Sequence, residues 1–142
     1  MTEQTLQNID LLADLPAEEI AKLEQAATWH DYAKGDAIFE QNSKSSDLLF
    51  VVSGAVRIVN YSSTGREVAY ASFKAGDYIG EIAAIDGQPR TAHVIALKPS
   101  TVATIAPETF RQLLLDFPEI AMRVMLKLTS IIRTADDRIL DL

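Results

Sequence analysis

Apolar residues in the middle of the chain fall into short runs, AIFE, LLFVV, AVRIVNY, EVAYASF, HVIAL and TVATI. Between them stand turn-forming groups such as Lys34-Gly35-Asp36, Ser53-Gly54, Ser63-Thr64-Gly65, Ala75-Gly76-Asp77 and Lys98-Pro99-Ser100, whose residue types favour tight backbone reversals. All six glycines lie between residues 35 and 87, and the flanks contain none. Short strands at this spacing, with no helix-length pattern among them, predict an antiparallel sandwich or barrel.

The flanks carry a different period. Pro16 suits a first helical position, Glu18 and Glu19 stand where the helix dipole favours negative charge, and Ile20, Leu23 and Ala27 repeat at three or four. A second helix is expected from Pro107 to just before Pro118, and a third from Pro118 towards Leu142. Apolar residues at 120, 124, 128, 131, 135, 139 and 142 form its seam. Met122, Met125, Leu126 and Ile132 lie off that seam, more apolar surface than one buried stripe requires. Two arrangements answer this: a homodimer through the C-terminal helix, or a helix folded entirely onto its own core.

The chain has 142 residues, enough for one domain with a helical extension. The division expected is an N-terminal helical segment (1–30), a β-roll (31–106) and C-terminal helices (107–142). No cysteine is present, so neither a disulfide framework nor a thiolate site is available. The acidic N-terminus lacks the basic and apolar regions of a secretion signal, and no run of 18 apolar residues occurs. The expected setting is cytoplasmic, with no membrane contact. A net charge of −7 lacks the basic footprint of a nucleic-acid binder. Any phosphate this chain binds must be captured locally, against its overall charge.

One stretch could do so. GEIAAIDGQPRTA, residues 80–92, holds a carboxylate, two glycines and a Pro-Arg-Thr step. Gly80 permits a tight entry, and residues 82–85 give about one helical turn before Asp86-Gly87 breaks it. The unpaired N–H groups at the start of that turn attract an anion. Arg90 presents a planar fork of donors suited to phosphate oxygens, and Glu81 can accept from a sugar hydroxyl. A ribose phosphate meets all three. The alternative on spacing alone is a Glu81–Arg90 salt bridge closing a surface loop.

GEIAAIDGQPRTA resembles the phosphate-binding cassette of the cyclic nucleotide-binding domain family. LLFVVSGAVRIV and GREVAYASFKAGDYIGE resemble the strands leading into that cassette. FRQLLLDFPEIAMRVMLKLTSIIR resembles the helical pair that follows it, particularly in the catabolite-activator (Crp–Fnr) branch. The resemblance spans essentially the whole chain. It implies a mainly β fold, a jelly-roll β-barrel with an N-terminal helix and a long C-terminal helix.

For the site, the resemblance implies that Arg90 pairs with a cyclic phosphate and Glu81 accepts from the ribose 2′-hydroxyl. Gly80 and the backbone amides of Ile82, Ala83, Thr91 and Ala92 complete the cradle. Thr91 can also touch the base, a weak lean towards cyclic GMP, since hydroxyl residues occur here in cyclic AMP binders too. Tyr70 aligns near the base-facing strand and either stacks on the purine or packs in the core. Where the family often has an early-loop glycine this chain has Asn42, which tolerates left-handed angles. Where the catabolite activator offers polar side chains to adenine, this chain has Ala135 and Asp136, with Thr134 alongside.

The implied ligand is cyclic AMP or cyclic GMP, with no cofactor and no metal. Crp–Fnr transcription factors continue into a helix-turn-helix, whereas this sequence ends at Asp141-Leu142, so direct DNA binding is not expected and an unidentified protein effector is. Metal-dependent cupins share the jelly-roll shape but need clustered histidines. Only His30 and His93 are present, far apart in sequence. A binding domain, not an enzyme, is expected; a degenerate interaction domain that binds no nucleotide is the second reading.

Overall fold

The computed structural model describes residues 4–140, with side chains for all of these except 68–70 and 138–140. Its elements are a 3-10 turn (Asp10–Leu12), α1 (Ala17–Ala26), β1 (Thr28–Tyr32), β2 (Ala37–Phe39), β3 (Leu48–Ser53), β4 (Ala55–Tyr61), β5 (Glu67–Lys74) and β6 (Tyr78–Ile79). There follow α2 (Glu81–Asp86), β7 (His93–Ala96), β8 (Ser100–Ile105), α3 (Pro107–Asp116) and α4 (Pro118–Leu140).

The strands form two four-stranded antiparallel sheets, ordered β1-β8-β3-β6 and β2-β7-β4-β5. This is the mainly β fold with flanking helices that the strand spacing predicts. Leu49 and Val51 of β3 pack with Val56, Ile79, Val94 and Val102 between the sheets. Leu48 and Phe50 face the opposite way, into a second core with Ile20, Leu23, Phe110, Ile120 and Val124 from the helices. The first sheet is therefore covered on both faces. That explains the unbroken apolar run LLFVV, since a strand buried on both sides has no solvent face to mark with polar residues.

Two local expectations differ from what forms. Pro16 stands just before α1 as its N-cap, with its carbonyl accepting from the N–H groups of Glu19 (2.9 Å) and Ile20 (3.1 Å). Ala27 is already extended, at ψ 151°, and the chain runs into β1 from Thr28, before the start at residue 31 expected of the β-roll. TWHDY is rich in β-formers, but among the described residues it pairs only with β8, and no residue in it is fully buried. An edge strand of this kind lacks the apolar run that announces the others.

α4 is divided in its environment. Ile120 and Val124 are buried, and Arg123 donates to the Leu11 carbonyl at 2.9 Å and pairs with Asp14. Beyond Leu128 the helix leaves the sheets, and Ile131, on the same seam, is 46% exposed. Met122, Met125, Leu126 and Ile132 are exposed on another face. No helix among the described residues is long and apolar enough to cross a membrane.

Candidate functional site

Residues 80–92 link β6, at the edge of the first sheet, to β7 inside the second. Gly80 makes the entry at φ +92° and Gly87 the exit at φ +72°. The first ladder bond of α2 runs from Ala84 N–H to the Gly80 carbonyl at 3.1 Å, so the N–H groups of Glu81, Ile82 and Ala83 have no acceptor within the helix. Arg111 of α3 donates from Nε to the Ala84 carbonyl at 3.1 Å, and Asn60 of β4 donates to the Thr91 carbonyl at 3.2 Å. Neighbouring elements thus hold the segment from both sides.

Beside it lies a cleft with about 90 Å³ of accessible space. Gly80, Glu81, Ile82, Ala83, Arg90, Thr91 and Ala92 all line it, against Phe39 of β2, Ile58 of β4 and Val94 of β7. Seven of the eight residues singled out in the sequence are brought together here. The side chain of the eighth, Tyr70, lies outside the described residues.

Arg90 is only 5% exposed. Its Nη2 donates to the Asp47 carbonyl at 2.5 Å and to Ser45 Oγ at 3.3 Å, and its Nη1 donates to the Gly80 carbonyl at 3.3 Å. The Phe39 ring lies beneath the guanidinium, 3.8 Å from its centroid. Burial pulls the Arg90 pKa below its ordinary value, while Asp47 and Glu81 counteract the shift. The guanidinium nonetheless stays a cation. Its Nε is buried without a partner among the described residues, an incomplete state for a strong donor and one that an anion's oxygen would complete.

Glu81 is equally buried, at 5% exposure, and does not pair with Arg90. Its Oε1 stands 3.2 Å from Nζ of Lys127 on α4. That ammonium also donates to the Tyr78 carbonyl at 2.5 Å and lies 3.8 Å from the Tyr78 ring centroid. Burial lowers the Lys127 pKa, and the Glu81 charge opposes the shift. The surface-loop salt bridge offered by spacing alone is therefore not what forms. Sequence reading missed Lys127, although a lysine flanked by Val124 and Leu128 of the apolar seam was the available signal.

The remaining candidates fall into place around this centre. Asn42 adopts φ +66°, the left-handed conformation expected of it, and its N–H reaches the Arg90 carbonyl at 2.9 Å. Thr134, Ala135 and Asp136 are exposed on the outer half of α4 and do not line the cleft. His93 accepts at Nδ1 from Gln41 N–H at 3.2 Å and packs on Tyr61, with ring centroids 5.3 Å apart. Among the described residues no three His, Cys, Asp or Glu side chains converge as metal ligands.

A family model described as the cyclic nucleotide-binding domain matches residues 29–117. A cAMP-dependent protein kinase regulatory subunit of Debaryomyces hansenii is 33% identical over 114 residues, covering 80% of this chain and 24% of that protein. The cAMP-activated global transcriptional regulator CRP of Escherichia coli is 29% identical over 111 residues, covering 78% and 53%. This chain thus spans between about a quarter and about half the length of these relatives. The solved structure of Thermus thermophilus catabolite activator protein superposes with a TM-score of 0.80 at 25% identity, covering 92% of this chain and 61% of that one.

Proposed function

The chain belongs to the cyclic nucleotide-binding domain family, and from that premise we propose that it is a regulatory receptor for a cyclic 3′,5′-nucleotide and not a catalyst. Arg90 takes the cyclic phosphate, completing its guanidinium at Nε. Glu81 accepts from the ribose 2′-hydroxyl, and the amides of Ile82, Ala83, Thr91 and Ala92 close the cradle around Gly80. The observation that carries this reading is the buried, partly unpartnered guanidinium of Arg90 beside the cleft. In a chain of net charge −7, such a cation is kept out of water for an anion that fits it.

Cyclic AMP is the first ligand to try, because the relatives are cAMP-dependent or cAMP-activated by name. Thr91 keeps cyclic GMP in view, and Tyr70 is the candidate to stack on the base. The ligand acts by shifting the position of α4, through differential affinity for two arrangements of that helix. A second copy of this chain, packed along the exposed face of α4, and a protein effector then receive the change. Thermal unfolding tests the reading. At a hundred-fold excess over Kd, a ligand stabilises by about 2.7 kcal/mol, or about 5–10 °C in a chain of this size. Cyclic AMP or cyclic GMP should raise the Tm while linear 5′-AMP does not; no shift with either cyclic nucleotide contradicts it.

One observation favours the second reading, a dimerisation domain that keeps the fold without the ligand. The α4 residues aligned with the base, 134–136, stand exposed and away from the cleft. Under that reading the Tm is indifferent to every nucleotide and the exposed face of α4 carries the function.

A further inference from the structure

We infer that Lys127 is a positioning residue for ribose recognition, setting from α4 how strongly Glu81 reads the 2′-hydroxyl. The inference rests on the receptor reading above and extends it to a residue outside the cleft. Glu81 lines the cleft, whereas Lys127 lines a separate cavity with Asp10, Ser72, Phe73, Gly76, Asp77 and Tyr78. Lys127 therefore acts through Glu81.

The local physics gives this arrangement its purpose. A carboxylate 5% exposed is costly to keep ionised unless a cation and hydrogen bonds compensate it. Lys127 is the basic side chain paired with Glu81 among the described residues. The lysine is itself fixed, by the Tyr78 carbonyl at 2.5 Å and the Tyr78 ring below it. Its ammonium thus holds Oε1 in place, leaving the carboxylate's remaining lone pairs to take a donated hydroxyl.

Lys127 also stands where α4 parts from the sheets. Val124 is 2% exposed, whereas Ile131, one turn beyond Lys127, is 46% exposed. The hydroxyl reader is consequently tied to the point at which the helix turns outward, so ribose occupancy and α4 position bear on the same ion pair.

The test compares cyclic AMP and cyclic GMP, each with its 2′-deoxy analogue, by calorimetric titration of the 142-residue wild type and of Lys127→Met. In the wild type, loss of the 2′-hydroxyl should weaken binding about ten-fold or more, the scale of a hydrogen bond to a charged acceptor. In Lys127→Met that ratio should fall to about three-fold or less, the loss falling on the parent nucleotide while the deoxy analogue changes little. A purely structural role would weaken parent and analogue equally, and an unchanged ratio overturns the inference while leaving the receptor reading intact. Absence of any wild-type binding overturns both. If Lys127→Met does not fold, Lys127→Gln retains a donor for the Tyr78 carbonyl without the charge, and the same fall or constancy of the ratio decides.

Discussion

A methyl group added at Gly80 would stand 2.7 Å from Nη1 of Arg90 and 3.0 Å from the Asp47 carbonyl oxygen. The glycine and the arginine are therefore one design: the guanidinium lies where a side chain at position 80 would be. Gly80→Ala must also hold φ near +92°, a strain of about 1–3 kcal/mol for a residue with a Cβ. It is expected to lower the urea midpoint by a corresponding amount and to weaken cyclic nucleotide binding about ten-fold or more as Arg90 is displaced. Wild-type stability together with wild-type affinity would show that Arg90 does not need the space.

Phe39 supports the same guanidinium from below, at 3.8 Å. Phe39→Leu keeps an apolar filler but removes the ring face, forfeiting a desolvated cation–π contact of about 1–2 kcal/mol. The expected outcome is about 5- to 30-fold weaker binding by a protein whose circular dichroism is unchanged. Equal affinity in the variant would assign Phe39 to packing alone.

Tyr78 gives a prediction in pH. Its hydroxyl is buried with no partner among the described residues; burial first, and the Glu81 charge second, raise its pKa. The unfolded phenol ionises near about pH 10 while the folded one stays protonated, so the unfolded chain binds fewer protons above that pH. Stability from this group is complete below about pH 10 and is lost as pH rises towards the folded value, by at most about 1.4 kcal/mol per pH unit. Tyr78→Phe keeps a ring beneath Lys127, and at neutral pH it should match or exceed the wild type by up to about 1 kcal/mol, having lost only an unpaired hydroxyl. Denaturant unfolding from pH 8 to 11 checks this: the wild type should lose stability faster than Tyr78→Phe above about pH 10. Parallel profiles would contradict it.

The exposed face of α4 is expected to bury itself against a second copy. Met122, Met125, Leu126 and Ile132 recur at helical spacing and are all at least half exposed, the adaptable apolar composition of a protein contact. A charge there costs a dimer heavily and a monomer little. The double variant Met125→Glu with Leu126→Glu should sediment as a monomer at concentrations where the wild type sediments as a dimer, with an unchanged circular dichroism spectrum and a Tm that, unlike the wild type's, does not rise with protein concentration. A wild type that is monomeric throughout would remove this route.

The cassette was the most legible part of the sequence, because its parts are local. A glycine forced to positive φ, a one-turn helix and an arginine ten residues on are written within residues 80–92, and the chain folds them as a unit. The strands with apolar runs were also readable, since sheets covered on one or both faces leave a continuous or alternating hydrophobic mark. β1 left none, being an edge strand whose outward residues are polar. Lys127 was hidden for a different reason. Its partner Glu81 is 46 residues away, and only the docking of α4 on the first sheet brings a seam-flanking lysine to a buried carboxylate. The seam keeps one period from 120 to 142 in the sequence, yet among the described side chains it is buried at Ile120 and Val124, partly buried at Leu128 and exposed at Ile131 and Ala135; its positions 139 and 142 lie outside them.

The most direct measurement is calorimetric titration of the nucleotide-free chain and of Arg90→Ala with cyclic AMP and cyclic GMP. The wild type is expected to bind at least one of them at micromolar affinity or tighter. Arg90→Ala should bind about 30-fold to several thousand-fold more weakly, the effect of losing about 2–5 kcal/mol from a buried charge pair. A folded Arg90→Ala that binds as well as the wild type, or a wild type that binds neither nucleotide, would contradict the receptor reading.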